Sequence, residues 1–558
     1  MHFYDQLLDI LASRGVTTIF GVPGDAINPL IEAIRKQDQV RFVHVAHEEA
    51  GAFAASAQAK LTGNLAVCCG TVGPGAIHLL NGLYDASKDY APVLAIAGQV
   101  PSDELGLTFH QEVDLDALFS DVAVYHTSVR TAEQMPRVAL EACNTAVAES
   151  GVAVLTVPAD IGRQKVPDAD YAKEWSPRHR VLPDPEHVAD AAELINGADD
   201  ITILYGEGCR DAVPELKAIA EHLKAPIIHS LKAKDLLPSD YPNIAGGLGL
   251  LGDRGGVVAA QGCDVMLVVG SDFPYRDWYP DAPIIRIDRN ASTIGRRTPR
   301  DIGIVGDSAE SLRTLLEQLD EKTDDALLRT VQRSRSRWDS LLELASNPER
   351  SKDLIHPQGL ARVLGELADG DAVFTCDTGA VSVWAARHLR MTGSQRLSLS
   401  YNLASMAYAM PAAIGAQLAF PDRQVLSLSG DGGFNMLMGD LLTAVRYRLP
   451  IKIIIFNNGK LGLIQMEQEV EGFPEHLTGL HNPDYALLAE AFGATGQTVK
   501  NPADLRMAVA EALAHDGPYV LDVHVNPGEL TMPPKIELEQ AWGFSRAKVK
   551  EVLGELVS

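Results

Sequence analysis

Residues 425–458 read VLSLSGDGGFNMLMGDLLTAVRYRLPIKIIIFNN, and this stretch predicts a strand, a helix and a second strand. The apolar run 425–429 stops at the glycines around Asp431, and glycine allows backbone angles that are closed to other residues. Apolar residues then recur at helical spacing over 434–445, and a proline ends this segment before the apolar run 451–456. The order predicts a βαβ unit, whose parallel strands end at the edge where open α/β sheets bind ligands.

Polar side chains follow both strands of this unit. Asp431 follows the first strand, and the pair Asn457-Asn458 follows the second. Carboxylate and amide oxygens suit Mg²⁺, which proteins hold with few groups plus phosphate oxygens. The free amides of Gly432 and Gly433 at the helix start offer an anion site beside the cation. The pattern predicts a bound metal-diphosphate, although a capping aspartate and a second turn explain the same residues without a ligand.

Length and charge narrow the class of protein. The chain of 558 residues is too long for one hydrophobic core, and ordinary domain sizes predict three or four domains. It carries 74 acidic and 48 basic residues, net -26, which argues against nucleic acid as a partner because phosphate binding needs a cationic surface. The N-terminus lacks the basic and apolar regions of a signal peptide, and no run of 18 apolar residues occurs. We therefore expect a cytoplasmic protein.

The first region of the chain, from residue 3 to about 175, alternates helical and strand patterns, which is typical of a parallel α/β domain. Glu48 stands between a predicted strand at 40–45 and an alanine-rich helix at 49–61. A glutamate at a helix start complements the helix dipole without any ligand, so its role depends on the motif above. The Gly73-Pro74-Gly75 loop likewise admits either a closely bound cofactor or only a tight turn.

A second α/β pattern begins near residue 200, with predicted strands at 201–205, 265–269 and 284–287. The glycine-rich loop 246–252 and the acidic Asp288 at a strand end suit the phosphates and ribose of an adenine dinucleotide. Three ordinary strand-to-helix turns explain the same sequence, and the glycines at 206 and 208 lack the full dinucleotide fingerprint.

A third α/β pattern begins at His356 and contains the opening βαβ unit. Residues 174–186 contain three prolines and mixed charge, which predicts a linker before the second region. At the other end, the tail after Arg546 has apolar residues on one helical face, which suits docking on the protein or lying on a membrane. Those residues are Val549, Val552, Leu553 and Leu556.

With these motifs in place, the chain resembles the thiamine diphosphate (ThDP)-dependent decarboxylase and oxidase superfamily over nearly its full length. Within the superfamily it is most similar to the pyruvate oxidases, including the quinone-linked enzymes. The segments that carry the resemblance are His47-Glu-Glu-Ala, 63–82 with Gly73-Pro-Gly, Pro92-Val-Leu-Ala-Ile, Phe273-Pro-Tyr-Arg, Gly430-Asp-Gly-Gly-Phe, Met436-Leu-Met-Gly-Asp, Phe456-Asn-Asn and 533–544.

The resemblance implies an α/β fold of three domains, each with a parallel sheet flanked by helices. Residues 1–175 would form the ThDP pyrimidine-binding domain and 185–345 a central, Rossmann-like FAD-binding domain. Residues 355–535 would form the ThDP diphosphate-binding domain, followed by a C-terminal tail at 536–558. A homotetramer is implied as well, in which Glu48 serves a site whose metal ligands belong to the partner subunit.

The resemblance also assigns roles to residues at matching positions. Asp431, Asn458 and the main-chain oxygen of Lys460 would hold Mg²⁺ on the diphosphate. Glu48 would hydrogen-bond the aminopyrimidine ring, and Met406 would lie beneath the coenzyme and bend it. Further ThDP-binding residues would be Gly379, Ala404, Ser405, Gly430, Gly432, Gly433, Gly459, Leu461, Gly462, Leu463 and Ile464. The FAD-binding residues would be Gly249, Leu250, Leu251, Gly252, Ser271, Asp272, Phe273, Pro274, Tyr275, Arg276 and Asp288.

The implied activity is oxidative decarboxylation of pyruvate, or another small 2-keto acid, to acetate or acetyl phosphate and CO₂. Electrons would pass through flavin to quinone or oxygen, with Glu467, Gln111 and Leu463 beside the chemistry. Two positions depart from the pattern, because Leu463 stands where related enzymes have Phe and His110 replaces a Phe before Gln111. The tail is shorter than the membrane-activating extension of the quinone-linked enzyme, so we expect at most weak peripheral membrane association.

Two other functions fit the same sequence. One is carboligation as in acetolactate synthase, in which FAD is structural and a second keto acid is the acceptor. The other is a non-catalytic binding or regulatory protein that retains the fold. The presence of Glu48, Asp431 and Asn458 argues against the non-catalytic function, because these are the groups that the chemistry requires.

Overall fold

The computed structural model describes residues 1–166, 171, 180–299, 301–350 and 353–529. Residues 174–179 of the predicted linker, the segment 533–544 and the tail 536–558 lie outside the described residues. Within the described residues the chain forms three six-stranded sheets, and every strand pair in them is parallel. Helices flank each sheet, which confirms the predicted α/β fold of three domains.

The first sheet has the strand order β2-β1-β3-β4-β6-β5. Its strands are β1 (Thr18–Gly21), β2 (Arg41–His44), β3 (Ala66–Gly70), β4 (Val93–Gln99), β5 (Ala123–Ser128) and β6 (Val152–Pro158). The helices of this region are α1 (Phe3–Ser13), α2 (Asn28–Arg35), α3 (Glu48–Thr62), α4 (Pro74–His78), α5 (Leu80–Lys88), α6 (Leu115–Phe119) and α7 (Met135–Ala148). All seven residues of β4 and of β6 are buried, as expected for central strands covered by helices on both faces.

The second sheet has the order β12-β11-β10-β7-β8-β9. Its strands are β7 (Ile201–Tyr205), β8 (Ile227–His229), β9 (Ile244–Gly247), β10 (Val265–Val269), β11 (Ile284–Asp288) and β12 (Asp301–Val305). The helices are α8 (Pro185–Gly197), α9 (Val213–His222), α10 (Arg254–Gln261), α11 (Ser308–Leu316) and α12 (Ala326–Ala345). Strand order reverses between β7 and β10, which is the switch point where doubly wound sheets bind dinucleotides.

The third sheet has the order β14-β13-β15-β16-β18-β17, the same winding as the first. Its strands are β13 (Val373–Cys376), β14 (Arg396–Leu399), β15 (Val425–Gly430), β16 (Lys452–Asn457), β17 (Thr495–Val499) and β18 (Tyr519–His524). The helices are α13 (Pro357–Leu367), α14 (Ala380–His388), α15 (Ala409–Ala419), α16 (Asp431–Leu437), α17 (Leu441–Arg446), α18 (Gly462–Val470), α19 (Tyr485–Phe492) and α20 (Leu505–Ala514). The predicted βαβ unit is therefore present as β15, α16–α17 and β16.

Helix α3 packs directly on α15 and joins the first and third regions. Gly415 lies so close to the main chain of α3 that a Cβ there would be 2.1 Å from the oxygen of Ala54. The alanine-rich sequence of α3 follows from this contact, because only small side chains let two helix backbones approach closely. One hydrophobic core cluster accordingly contains residues of both regions.

The single helix predicted over 434–445 is wrong in detail, because the structure divides it. Helix α16 ends at Leu437, a 3₁₀ turn spans Met438–Asp440, and α17 begins at Leu441. The buried Asp440 accepts hydrogen bonds from Ala46 N at 2.8 Å and from Thr443 Oγ1 at 2.7 Å. A contact to the first region therefore determines the break, and periodicity within the segment could not predict it.

The longest helix of the described chain is α12, with 20 residues. Its sequence is rich in charge, with buried residues only at Leu327 and Val331 among those described. No helix in the described ranges combines the length and apolar character that crossing a membrane requires.

Candidate functional site

The Asp431 carboxylate lies at the carboxyl edge of the third sheet, where β15 leads into α16. Its Oδ2 accepts hydrogen bonds from Gly459 N at 2.8 Å and from Asn482 Nδ2 at 2.7 Å. Its Oδ1 accepts from Gly432 N at 3.0 Å. The residue is 2% exposed, and burial raises the pKa of this carboxyl although the hydrogen bonds oppose the shift. A buried carboxylate held by fixed donors is an environment that a cation would stabilise.

The loop after β16 lies against Asp431. The side chain of Asn457 points to the neighbouring strand, where its Nδ2 donates to Asp522 Oδ1 at 2.9 Å. Asn458 Oδ1 accepts from Lys460 N at 3.1 Å. Among the described residues, no recorded hydrogen bond uses the main-chain oxygen of Lys460. Asp431 and the 457–460 loop thus come together, and their oxygen donors fit a hard divalent cation.

Two glycines of this site are required by close packing. A Cβ on Gly433 would lie 2.3 Å from Asp377 Oδ2, and one on Gly462 would lie 2.8 Å from Asn458 Nδ2. Gly432 has more room, since its Cβ would meet only the flexible ends of Leu461, Met406 and Leu480 at 3.0 to 3.3 Å. The glycines therefore keep the carboxyl edge free of side chains, as a closely bound diphosphate would need.

Met406 belongs to a strained segment before α15. Ala404 and Ala407 have φ values of +59° and +66°, which residues with a side chain rarely adopt. Ser405 N donates to Ser400 Oγ at 2.9 Å, and Ala409 N donates to Asp377 Oδ1 at 2.8 Å. These bonds fix the segment on both sides of Met406, whose Cε would lie 3.2 Å from a Cβ on Gly432. Its position beneath a coenzyme stays a prediction.

Asp377 was not singled out by the sequence. It follows β13, is 1% exposed, and its Oδ2 has no hydrogen-bond partner within the described residues. Desolvation raises the pKa of this carboxyl to about 7. Because it lies between Gly433 and the backbone of Ala409, it joins the Asp431 edge of the sheet to the Met406 segment.

Glu48 begins α3 at the carboxyl edge of the first sheet and is 8% exposed. Its Oε2 lies 3.0 Å from His78 Nδ1, and the His78 ring stacks on His47 with centroids 4.4 Å apart. A Cβ on Gly75 would lie 3.1 Å from Oε1, so the Gly-Pro-Gly loop leaves space beside this oxygen. The structure therefore brings together two features that the sequence left undecided.

The edge that carries Glu48 meets the Met406 segment within one chain. Asn81 Nδ2 donates to Glu49 Oε1 at 2.6 Å and to Ser405 Oγ at 3.1 Å. Glu49 and Ser405 adjoin Glu48 and Met406 in sequence, so one asparagine connects the two edges. The assignment of Glu48 to a partner subunit's site stays a prediction.

The three side chains predicted beside the chemistry lie on exposed or partly exposed elements. Gln111 is exposed, has φ +63°, and its main-chain oxygen would be 2.8 Å from a Cβ on Gly73. Leu463 and Glu467 lie one turn apart on α18, with Leu463 partly buried and Glu467 exposed. Gln111 thus adjoins the Gly-Pro-Gly loop, and α18 follows closely after the 457–460 loop.

The loops predicted to bind FAD converge at the switch point of the second sheet. Gly249 has φ +97°, and its Cβ would lie 3.3 Å from both the Phe273 and Tyr275 rings. Ser271 is 3% exposed, and its Oγ has no hydrogen-bond partner among the described residues. A buried hydroxyl without a protein partner at this edge is a group that a bound dinucleotide would satisfy by a hydrogen bond.

The acidic members of the FAD set differ in their environments. The Asp272 carboxylate already has protein partners, because it forms an ion pair with Arg297 at 2.7 Å and accepts a hydrogen bond from the Tyr90 hydroxyl at 2.9 Å. Asp288 ends β11, where burial raises the pKa of its carboxyl although Asn290 N donates to it. Of the two, only Asp272 forms an ion pair within the described residues, and the ribose contact of Asp288 stays a prediction.

Sequence reasoning missed Asn482, which organises the edge that carries Asp431. Its Nδ2 donates to Asn457 Oδ1 at 3.0 Å as well as to Asp431, and its Oδ1 accepts from Asn435 Nδ2 at 3.0 Å. Tyr485 OH in turn donates to Asn435 Oδ1 at 2.8 Å. An asparagine before a proline reads as a turn, so no local signal distinguishes this role.

Family models match all three regions of the chain. The thiamine pyrophosphate enzyme N-terminal TPP binding domain matches residues 1–118, and the central domain of these enzymes matches 188–315. The C-terminal TPP binding domain matches 377–523. These matches reach all three sheets: they contain β1–β4 of the first, all six strands of the second, and the third from β14 into β18.

Curated proteins are similar to the chain over almost its full length. The Bacillus subtilis protein YdaP, named for containing thiamine pyrophosphate, is 41% identical over 98% of this chain and 95% of its own. A pyruvate oxidase of Lactiplantibacillus plantarum is 32% identical over 96% of this chain and 90% of its own. The large subunit of acetolactate synthase isozyme 2 of Escherichia coli is 31% identical over 97% and 98%.

Proposed function

The chain belongs to the thiamine pyrophosphate enzyme family, and from that premise we propose that it decarboxylates a small 2-keto acid, pyruvate first, by an oxidative route. The observation that carries the proposal is the joining of Asp431 to the 457–460 loop by Gly459 N at 2.8 Å. This contact sets hard oxygen donors at one sheet edge, beside glycines that leave room for a diphosphate.

The residues that would hold the cofactors follow from this geometry. Asp431, Asn458 and the main-chain oxygen of Lys460 would ligate Mg²⁺, and Asn482 would keep the Asp431 carboxylate in place. The coenzyme supplies the electron sink that decarboxylation of a 2-keto acid needs. Met406 would support its rings from the side of Gly432.

Glu48 would act on the coenzyme's ring through its free oxygen. Its Oε2 is engaged by His78 at 3.0 Å, whereas Oε1 faces the space beside Gly75. A carboxyl in this position can exchange a proton with a ring nitrogen while burial keeps bulk water away. The low exposure of Glu48 and its fixed contact to His78 support this role.

The second sheet supports the oxidative part of the proposal. Its strand order is that of dinucleotide-binding sheets, and Ser271, Gly249 and Asp288 lie at the ligand edge. FAD bound there would carry electrons to quinone or oxygen, with acetate or acetyl phosphate as product. The similarity to pyruvate oxidase at 32% identity supports the same choice.

Carboligation is the second candidate, and the similarity of the chain to an acetolactate synthase supports it. The acetolactate synthase subunit is 31% identical over 98% of its own length, so overall similarity hardly separates the two activities. In a carboligase a second keto acid is the acceptor, and the flavin stays oxidised. The two candidates therefore differ in what pyruvate does to bound FAD.

Anaerobic mixing with pyruvate separates the candidates. The full-length protein is loaded with ThDP, Mg²⁺ and FAD, and the absorbance of oxidised flavin is followed during addition of pyruvate and other small 2-keto acids. We expect rapid bleaching with pyruvate and CO₂ release in equal amount. Acetolactate formation without bleaching would assign the protein to carboligation. If neither bleaching nor acetolactate is seen with any of the keto acids, both proposed activities are wrong.

The assembly of subunits is a further part of the proposal. We propose a homotetramer in which Glu48 of one subunit serves the metal site of another. Sedimentation equilibrium measures the mass, and mixing Glu48→Gln with Asp431→Asn subunits tests the sharing. Recovery of activity in the mixture supports shared sites, whereas its absence in a mixture shown to exchange subunits contradicts them.

A further inference from the structure

A cleft lies where the second sheet, helix α12 and helix α14 of the third region meet. It encloses about 500 Å³ of atom-free space, part of which is open to solvent. The charged side chains on its wall, among the described residues, are the cations Lys234, Arg335, Arg387 and Arg390 and the carboxylates Asp253 and Asp339. None of the residues predicted to bind FAD lines this cleft.

Lys234 is the most unusual group in the cleft, since it is only 8% exposed. Within the described part of the chain, its ammonium group donates no hydrogen bond and forms no ion pair. Burial, followed by the Arg335 and Arg390 cations, lowers the pKa of Lys234 to about 8 although Asp253 and Asp339 oppose the shift. A buried lysine normally has a partner, so the cleft is short of negative charge.

The carboxylates of the cleft already have partners. Asp253 accepts from Trp338 Nε1 at 3.0 Å and from Gly247 N at 2.9 Å. Asp339 lies 3.5 Å from Arg335 and 3.7 Å from Arg390. Four cations against two carboxylates leave an excess of two positive charges among the described groups of the cleft.

The buried histidines of the cleft region do not change this balance. Burial lowers the pKa of His229 to about 4, and the same cause lowers the pKa of His388 to about 4. Both rings are therefore neutral at pH 7. The excess positive charge stands out in a chain whose net charge is -26.

We propose that this cleft binds a small dianion of the phosphate class, with Lys234 at its base and arginines around it. A dianion matches the excess of two positive charges, and guanidinium groups suit the several oxygens of a phosphate. The site would also act on the neighbouring glycine-rich loop. Arg387 Nη2 donates to Leu250 O at 3.0 Å, and Asp253 accepts from Gly247 N, so an occupied cleft would hold that loop at two points.

Thermal unfolding with inorganic phosphate tests the site without any turnover. The full-length protein, saturated with ThDP, Mg²⁺ and FAD, is heated at increasing phosphate with sodium chloride holding ionic strength constant. We expect a saturable rise of the midpoint in the wild type, because a ligand that binds only the folded state stabilises it. Lys234→Met should raise the phosphate concentration for half the effect at least tenfold. Lys500→Met, an exposed lysine elsewhere, should leave it unchanged.

A second observable separates a ligand site from a merely structural lysine. Without phosphate, Lys234→Met should melt no lower than the wild type, because the substitution removes a buried cation that has no partner. Should Lys234→Met fail to fold, the lysine is structural and the proposal is wrong. Arg390→Met, at the exposed rim, should weaken the phosphate response at least threefold in a folded protein.

Besides a Lys234→Met variant that fails to fold, four results would overturn the proposal. The first is a wild type without a saturable phosphate response, and the second is an equal response in Lys234→Met. The third is an equal response to acetate, which would show a carboxylate site. The same titration on FAD-free protein should give the same half-effect concentration, and a large difference would place the phosphate in the FAD site.

Discussion

The side-chain amide of Asn482 donates to Asp431 Oδ2 across 2.7 Å and fixes the carboxylate that would ligate the metal ion. The same amide contacts Asn457 at 3.0 Å, so one residue from the loop before α19 positions both strand ends of the βαβ unit. Groups that hold metal ligands in place affect metal affinity although they do not touch the ion.

Asn482→Ala should therefore weaken Mg²⁺ binding. Loss of an outer partner of a metal ligand costs roughly 10–100-fold in affinity, so we expect the half-saturating Mg²⁺ concentration to rise by about that factor. Activation of the ThDP-loaded protein by Mg²⁺ measures it. The exposed Asn64→Ala is the control, and equal Mg²⁺ requirements for the two variants would contradict the role of Asn482.

Glu48→Gln should reduce turnover while preserving the fold. Glutamine keeps the contact to His78 but cannot exchange a proton, so we expect a loss of about 10²–10⁴-fold in kcat. Glu49→Gln is the matched control, because it retains an acceptor for Asn81 Nδ2 at the adjacent position. Equal activities of the two variants would remove Glu48 from the proposed chemistry.

Asp377 should give the folded protein a characteristic pH dependence. With a pKa raised by burial from 3.8 to about 7, the native protein keeps a proton between these pH values that the unfolded chain has lost. The native state binds more protons there, so stability from this group falls as pH rises from about 4 to about 7. The full shift corresponds to about 4 kcal/mol.

Asp377→Asn removes this dependence because asparagine does not ionise. The wild type should lose unfolding free energy as pH rises from 5 to 8, and the variant should not lose this contribution. The unfolding free energy of the variant minus that of the wild type should therefore be lowest at pH 5 and rise toward pH 8. Unfolding midpoints at each pH measure the gain, with the exposed Asp38→Asn as control. A constant difference between Asp377→Asn and wild type would contradict the raised pKa.

The paired substitutions Gly433→Ala and Gly432→Ala should have different consequences. The Cβ on Gly433 meets a fixed carboxylate at 2.3 Å, so we expect a loss of about 1–3 kcal/mol in unfolding free energy. The Cβ on Gly432 meets flexible side-chain ends, including Met406 Cε at 3.2 Å. That variant should stay near wild-type stability and show mainly weaker ThDP binding.

Denaturant unfolding and ThDP titration of both variants measure these effects. Equal losses of stability would show that the two glycines are packed alike. Unchanged ThDP binding in Gly432→Ala would mean that Met406 does not support the coenzyme.

Local patterns along the chain were enough to predict the three parallel sheets and the proximity of Asp431 to the pair Asn457-Asn458. Both depend on local signals, because apolar runs and glycine turns specify strands, and parallel strands bring successive strand ends to one edge. Local patterns also singled out Glu48, the 246–252 loop and Asp288 but left their roles open. The family resemblance assigned those roles, which remain proposals.

The groups that would support these ligands emerge only from contacts in the folded chain. Asn482, Asp377 and Asn81 act across contacts between segments distant in sequence, and nothing in their neighbours marks them. The break between α16 and α17 and the charge excess around Lys234 arise in the same way. Hydrogen bonding and burial are properties of the packed chain, so a pattern along the sequence specifies the strands but not the partners that each buried polar group acquires.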